Sequence, residues 1–162
     1  GHGGYIDVDS QPGRGTTFGI YLPASGKAAP KPADAVNKAV TGKGTVLLVD
    51  DEEMVLEVGE KILARLGYVV FKAQNGEQAL EIYNRCRASI DLIILDVIMP
   101  VMGGGEAVDC IKKIDPEARI LLSSGYSADG QVGAIIERGC AGFIQKPFSI
   151  ESLSTKIKEI LL

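Results

Sequence analysis

From Gly44 to its last residue, the chain alternates between two patterns of apolar and polar positions. Short, almost continuous apolar runs are typical of strands covered on both faces of a sheet, and here they lie at 45–50, 68–73, 91–96, 118–124 and 141–145. Segments in which apolar residues recur every three or four positions are typical of helices, and they span 52–67, 75–88, 104–114, 129–139 and 149–162.

The ends of these helices carry local signals. Asn75 and Ser149 stand where an N-cap side chain is favoured, and Gly67 suits a C-cap. The segment 129–139 contains Gly130 and Gly133, which weaken a helix by about 1 kcal/mol each. In the first helix, the apolar residues Val55, Val58, Ile62, Leu63 and Leu66 recur at helical spacing.

Five strands therefore alternate with five helices. The connections are too long for hairpins, which predicts an α/β fold, a doubly wound (βα)5 domain with a five-stranded parallel sheet and helices on both faces. In such sheets, ligands bind outside the carboxyl ends of the strands. That edge is where we expect the chemistry.

The first 43 residues have a different texture. Residues 1–23 contain two β-forming segments around the Pro/Gly turn "QPGRG", which predicts a β-hairpin. Residues 24–43 are mostly Ala, Lys and Pro with little to bury, as in a linker. The predicted domains are thus the hairpin 1–23, the linker 24–43 and the α/β domain 44–162.

Composition narrows the possible partners. Of 162 residues, 46% are apolar and 23% charged, which fits a soluble globular protein. The net charge of −4 gives no indication of the clustered Lys and Arg that a nucleic-acid surface needs, so we expect no nucleic-acid partner. No apolar run approaches the ~20 residues that span a bilayer, so we expect no membrane contact by this chain. A single histidine and three cysteines without a C-x-x-C make a catalytic triad or a His-based metal site improbable.

Polar side chains stand at the predicted carboxyl ends of four strands. Converging carboxylates repel one another unless a hard divalent cation joins them, and a lysine and a hydroxyl beside it would complete a site for a phosphoryl group. Taken singly, each residue is equally typical of a helix cap or a turn, so the conjunction carries the hypothesis. The groups are Asp50-Asp51-Glu52, Asp96, Ser123-Ser124-Gly125 and Gln145-Lys146-Pro147.

Four motifs in this order, "VLLVDDEE", "LIILDVIMPVMGG", "ILLSSGYS" and "FIQKPF", resemble the signatures of the response-regulator receiver domain over residues 44–162. The resemblance implies the flavodoxin-like receiver fold and a phosphoacceptor module of a bacterial, cytoplasmic two-component phosphorelay. Its implied phosphoryl donor is the phosphohistidine of a histidine-kinase or phosphotransfer domain. A homodimer stays open.

The resemblance also implies roles for individual residues. Asp96 matches the phosphoacceptor, and the metal is Mg²⁺ or Mn²⁺. Asp51 matches the direct metal ligand, Asp50 its neighbour acting through water, and Ile98 a ligand through its backbone carbonyl.

Further roles follow from the last two motifs. Ser124 matches the switch hydroxyl, Lys146 the lysine that pairs with the phosphoryl group, and Phe143 the aromatic switch. Pro147 matches a proline that often follows a cis peptide bond. The sequence departs from the family at Gly103, where an acidic residue is common, and at Phe143, which lacks a polar tip.

The hairpin resembles the end of a histidine-kinase ATP-binding domain, whose last glycine-rich box is matched by Gly13, Gly15, Thr16, Thr17 and Phe18. This resemblance implies a parent hybrid sensor histidine kinase, whose membrane anchoring through an absent sensor region stays open. The fragment lacks the adenine pocket and the kinase's own histidine, so we expect no kinase activity from it.

Three alternatives stay open. The first is a stand-alone response regulator. A haloacid-dehalogenase-like phosphatase would use Asp96 as its nucleophile, but that family has a second Asp two residues later, where Ile98 stands. A nucleotide- or flavin-binding domain would need a glycine-rich loop after the first strand, where this chain has "DDEE".

Overall fold

A computed structural model describes residues 3–24, 41–126 and 130–162. The chain divides into two compact units, Gly1–Val36 and Asn37–Leu162. Residues 25–40, which include most of the predicted linker, lie outside the described residues.

The first unit contains the predicted hairpin. Strand β1 (Tyr5–Gln11) pairs with strand β2 (Gly15–Tyr21) in an antiparallel ladder. Gly13 and Gly15 have φ angles of 77° and 91°, a backbone conformation that glycine adopts without steric cost. Tyr5 lies opposite Tyr21, with ring centroids 5.7 Å apart.

The second unit alternates strands and helices as predicted. Its strands are β3 (Gly44–Val49), β4 (Tyr68–Ala73), β5 (Leu92–Asp96), β6 (Ile120–Ser124) and β7 (Gly142–Gln145). Its helices are α1 (Glu53–Arg65), α2 (Gly76–Cys86), α3 (Gly104–Ile114), α4 (Gln131–Ile136) and α5 (Ile150–Leu161). A short 3₁₀ turn, Arg87–Ser89, extends α2.

The strands form one parallel sheet in the order β4-β3-β5-β6-β7. This arrangement confirms the predicted doubly wound (βα)5 fold. The strand β5 lies at the centre of the sheet and is buried along its whole length. Because all five strands run in the same direction, their carboxyl ends meet at one edge.

Each face of the sheet is covered by its own apolar core. One core joins side chains of the sheet to α2, α3 and α4, and the other joins the sheet to α1 and α5. Leu47, Ile93 and Leu95 point into the first core, whereas Val46, Leu92 and Ile94 point into the second. This alternation follows from the two-residue period of a strand, and burial on both sides explains the continuous apolar runs.

The helix caps agree with the sequence patterns. The Asn75 side chain accepts a hydrogen bond from the Gln78 amide at 2.9 Å. Ser149 forms a capping box with Ser152, which satisfies two backbone donors that the start of α5 would otherwise leave unpaired. Gly67, with φ 99°, follows the end of α1 as predicted.

Two of the helices differ in detail from the spacing seen in the sequence. In α1 the buried residues are Leu56 and Leu63, whereas Val58 is 51% exposed. Val58 instead lines an open apolar groove together with Met54 and Phe148. The helix α4 is also shorter than the predicted segment 129–139. Among the described residues, no helix has the length and apolarity needed to cross a membrane.

Candidate functional site

Three charged side chains predicted from different strands meet at the carboxyl edge of the sheet. Asp96 ends β5, Asp50 follows β3 directly, and Lys146 follows β7 directly. The two carboxylates are almost fully buried, with Asp50 2% and Asp96 7% exposed. The apolar ladder of β3 and β5 therefore holds charged groups where water has little access.

Lys146 joins the two buried carboxylates. Its Nζ atom lies 3.0 Å from Oδ1 of Asp96 and also donates a short hydrogen bond to Oδ2 of Asp50. The other oxygen of Asp50 accepts a hydrogen bond from the Glu52 amide at 3.1 Å. Each buried charge thus has a partner, as burial in a region of low dielectric requires.

Burial and pairing act in opposite directions on these groups. Burial raises the pKa of the Asp96 carboxyl, and the neighbouring Lys146 only partly offsets that rise. For Lys146, burial favours the neutral amine, but hydrogen bonds to Asp50 and Asp96 outweigh it and raise the lysine's pKa. Lys146 is therefore held as a cation in contact with Asp96.

A third carboxylate completes an acidic cluster. Asp51 is exposed, and carboxylate oxygens of Asp50, Asp51 and Asp96 all lie within 4.8 Å of one another. Three carboxylates against one ammonium group leave an excess of negative charge. Oxygen donors of this kind, with one side open to water, fit a hard divalent cation.

The loop after β5, residues 97–103, and the start of α3 lie close to Asp96. The Ile98 amide acts on the Asp96 carboxyl in the direction that lowers its pKa, while the Ile98 side chain is 59% exposed. Gly104 begins α3 so close to the strand that a Cβ atom there would lie 2.4 Å from the Asp96 carbonyl oxygen. At Gly103, by contrast, the nearest atom would be 3.7 Å away.

Ser124 ends β6 beside this cluster. It is 1% exposed, and its hydroxyl accepts a hydrogen bond from the Tyr126 amide at 3.1 Å. Its carbonyl accepts one from the Lys146 amide at 2.7 Å. The neighbouring residue Ser123 pairs directly with Asp96 across the two strands, so Ser124 is the next residue beyond the level of Asp96.

The two remaining predicted positions lie on and just after β7. Phe143 is partly buried against the core that contains α4, opposite Leu122 in the sheet register. The Lys146–Pro147 peptide bond is cis, as the resemblance implied.

Two contributors to the site were missed by sequence reasoning. Gly104 was expected only as part of a helix, and its close approach to the Asp96 backbone has no separate signal in the sequence. The amide of Tyr126, which binds the Ser124 hydroxyl, is a backbone group that no side-chain pattern reveals. The run of glycines at 103–105 marks the region but does not show which of the three lies against β5.

Most of the second unit matches a known protein family. The pattern of the response regulator receiver domain matches residues 46–158. The chain belongs to the response regulator receiver family. The receiver is thus a module of two-component signalling, a class of domains that interact with histidine kinases and phosphotransfer proteins.

Named relatives agree with this assignment. The receiver is 37% identical to the chemotaxis protein CheY of Bacillus subtilis over 72% of this chain and 96% of that protein. The structure of the response regulator TrrA of Thermotoga maritima, in complex with Mg²⁺-BeF, is 31% identical and superposes with a TM-score of 0.66 over 73% of this chain and 99% of that one.

A longer relative matches the hairpin as well as the receiver. The sensor kinase CckA of Brucella abortus is 37% identical over 98% of this chain, which spans 18% of the kinase.

Proposed function

We propose that Asp96 accepts a phosphoryl group from the phosphohistidine of a histidine-kinase or phosphotransfer domain. The observation that carries this proposal is the burial of the Asp96 carboxylate in contact with Lys146, beside the carboxylates of Asp50 and Asp51. A nucleophile, a fixed cation and an acidic cluster open to water are the parts that phosphoryl transfer to a carboxylate needs.

The residues around Asp96 have different roles in the proposed transfer. Lys146 holds the Asp96 carboxylate in an ion pair at 3.0 Å, and the Ile98 amide favours the charged form of that carboxylate. We infer that Lys146 then neutralises charge on the oxygens of the phosphoryl group as the bond to the histidine nitrogen breaks and the bond to an Asp96 oxygen forms. The surrounding apolar strands lower the local dielectric constant, which strengthens the attraction between the Lys146 ammonium group and the phosphoryl oxygens.

We propose Mg²⁺, or Mn²⁺ in its place, as the metal. Asp51 and Asp96 would bind it directly, Asp50 through water, and Ile98 through its carbonyl. When bound, the cation offsets negative charge of the carboxylates and the incoming phosphoryl group. The excess of carboxylates over lysine supports this choice, because it leaves negative charge that a divalent cation would balance.

We infer that Ser124 and Phe143 respond to the new charge. The product carries about −2 charge, and the Ser124 hydroxyl can donate to it only by rotating toward Asp96. That displacement would pull on the chain leading to α4, which contributes side chains to the same core against which Phe143 packs. The surface formed by α4, β7 and α5 is therefore the proposed output face.

We also propose that the chain comes from a hybrid sensor histidine kinase. In this assignment residues 1–23 end the ATP-binding domain, residues 24–43 are a linker, and residues 44–162 are the receiver. The alignment with the sensor kinase CckA supports it, because 98% of this chain is included, hairpin and linker with it. Such a receiver would work on the cytoplasmic side of the parent.

Intact mass spectrometry tests the proposed phosphoacceptor. After incubation with acetyl phosphate and Mg²⁺, we expect a mass increase of one phosphoryl group that hydroxylamine removes and EDTA prevents. Asp96→Asn should abolish it, whereas Asp91→Asn, an acidic residue at the opposite end of β5, should leave it intact. Phosphorylation that persists in Asp96→Asn would overturn the assignment. Turnover of phosphate esters without a stable adduct would favour the phosphatase alternative instead.

A further inference from the structure

The helix α4 has little stability of its own. It contains six residues, Gln131–Ile136, and one of them is Gly133. Helices shorter than about 12 residues are marginal in isolation, and glycine weakens them further. The position of α4 therefore depends on what it contacts in the rest of the receiver.

Apolar packing and one arginine attach this part of the chain. Val132 and Ile135 are buried in the core shared with α3. Arg138, two residues beyond α4, reaches across to α3, where its Nη1 atom donates to the carbonyl of Gly105 at 3.2 Å and to the Asp109 carboxylate at 2.9 Å. Gly105 and Asp109 lie one helical turn apart, so one guanidinium group spans that turn. We call these two contacts the Arg138 clamp.

Gly105 is small enough to let the clamp close. A Cβ atom at this position would lie 3.2 Å from Cδ1 of Ile135 and 3.5 Å from Nη1 of Arg138. The first of these distances is tighter than ordinary van der Waals contact, so a larger residue would push Ile135, and α4 with it, away from α3. The close approach of α4 to α3 is thus a property of this sequence at Gly105.

The first turn of α3 is itself fixed to the strand that carries Asp96. The Gly104 amide donates to the Val97 carbonyl at 3.0 Å, and Gly104 lies against the Asp96 backbone. On the other side, the chain from Ser124 reaches Gly130, which precedes α4, after only five residues, 125–129. The clamp therefore links the C-terminal end of α4 to α3, whose first turn lies against Asp96. Ser124 lies shortly before the N-terminal end of α4 in the chain.

We propose that the Arg138 clamp holds α4 in the resting arrangement and opposes phosphorylation at Asp96. The proposal rests on the proposed function, because it requires Asp96 to be the phosphoacceptor and Ser124 to move toward the phosphoryl group. That movement pulls the start of α4 while Arg138 holds its end. Phosphorylation then favours a state in which the clamp is weaker. By thermodynamic linkage, removing the clamp favours the phosphoryl-bound state by the same free energy.

An equilibrium titration with beryllofluoride, which mimics the phosphoryl group, tests this coupling in the full chain. With Mg²⁺ present, amide NMR signals of β6 would report the half-saturating concentration. Because Arg138 and Asp109 are 42% and 47% exposed, we expect Arg138→Ala and Asp109→Asn each to lower that concentration by only about two- to fivefold. Their combination should lower it no further than Arg138→Ala alone, because that variant already removes the ion pair that Asp109→Asn removes.

Two further variants separate the clamp from general effects. Gly105→Ala should shift the half-saturating concentration in the same direction without removing a charge. Arg85→Ala, which removes an exposed arginine from α2, should leave it unchanged. A purely structural role for Arg138 would lower the melting temperature equally with and without beryllofluoride and leave the half-saturating concentration unchanged.

The outcomes distinguish the two proposals. If the wild-type chain binds beryllofluoride but Arg138→Ala leaves its half-saturating concentration unchanged or raises it, the clamp is overturned and the phosphoacceptor site stands. Additive effects of Arg138→Ala and Asp109→Asn would also overturn the clamp. A wild-type chain that neither binds beryllofluoride nor takes up phosphate from acetyl phosphate would overturn both.

Discussion

At the scale of single residues, the site depends on one lysine serving two buried carboxylates. Lys146 contacts both Asp50 and Asp96, and its side chain is 21% exposed. Removing one partner of a buried ion pair leaves an uncompensated charge, which costs far more than the pair itself contributes. Lys146 is thus needed for the resting structure as well as for the proposed transfer.

We expect Lys146→Ala to lower the free energy of unfolding by about 2–3 kcal/mol at neutral pH without divalent metal, near the lower end for buried pairs because Lys146 is partly exposed. Mg²⁺ should raise the melting temperature of the variant more than that of the wild type, since the acidic cluster has lost its cation. Thermal denaturation with and without Mg²⁺ measures both effects.

The matched control is Lys156→Ala, which removes an exposed lysine paired with Glu159 on α5. Such surface pairs contribute about 0–1 kcal/mol, so the control should behave like the wild type. Equal stabilisation of Lys146→Ala and the wild type by Mg²⁺ would contradict an acidic metal site at this position.

At the scale of secondary-structure elements, the first turn of α3 is fixed by its contact with β5. A Cβ atom at Gly104 would meet the Asp96 carbonyl at 2.4 Å, which is possible only if the helix or the strand shifts. Gly104→Ala should therefore lower the free energy of unfolding by about 1–3 kcal/mol, as overpacking does, and slow phosphorylation by displacing Asp96.

Gly103→Ala provides a control one residue away, where a Cβ atom would have its nearest neighbour at 3.7 Å. Urea denaturation and acetyl phosphate uptake should be close to wild type for this variant. Similar losses in both variants would show that the glycines matter for loop flexibility rather than for the contact with β5.

A second contact between elements joins α2 to the end of α3. The buried Tyr83 hydroxyl donates to the Asp115 carboxylate at 2.8 Å, and this hydrogen bond lowers the pKa of Asp115. The stabilisation is therefore present above the unfolded pKa of Asp115, near 4, and is lost as the pH falls through the lower folded value.

Tyr83→Phe should lower the free energy of unfolding by about 1 kcal/mol at neutral pH. The difference from the wild type should shrink as the solution is acidified below pH ~4, because Asp115 then loses its charge in both proteins. Urea denaturation at neutral and acid pH measures it, with Tyr126→Phe at an exposed position as the control. A difference that stays constant with pH would mean that the hydroxyl acts through packing.

The meeting of the site residues at one edge of the sheet could be predicted from the sequence for one physical reason. Parallel strands bring their carboxyl ends to one edge, so residues as distant in the chain as Asp50 and Lys146 could be expected to meet. Periodicity indicated an apolar stripe on α1 but could not show that Val58 on it is exposed, because burial depends on how the helix lies on the sheet. The short α4 and the Arg138 clamp depend on contacts between elements, which have no periodic signal.

At the scale of the whole molecule, the two units differ in how they bury apolar surface. The hairpin exposes large apolar side chains over both strands, among them Tyr5, Ile6, Phe18 and Ile20, each more than 60% exposed. A two-stranded hairpin is marginally stable alone. The receiver unit, in contrast, buries its apolar side chains in two cores, one on each face of the sheet.

A short segment before β3, residues 41–43, also contributes to the receiver. The Gly42 amide donates to the Leu66 carbonyl at 2.8 Å, and the Gly42 backbone lies against Gly67, where a Cβ atom would meet its carbonyl oxygen at 2.4 Å. Gly42 thus closes the turn between α1 and β4. Residues 41–43 belong physically with the receiver, although they lie in the predicted linker.

Truncation should separate these contributions. We expect a chain of residues 41–162 to keep the melting temperature of the receiver and its uptake of phosphate, and to self-associate less in sedimentation experiments because the exposed hairpin is gone. A chain of residues 44–162 loses the Gly42 hydrogen bond and should be less stable by about 1 kcal/mol. If residues 41–162 unfold or fail to accept phosphate, the hairpin is part of the receiver's stable fold, and residues 1–23 do not form the separate kinase remnant that we propose.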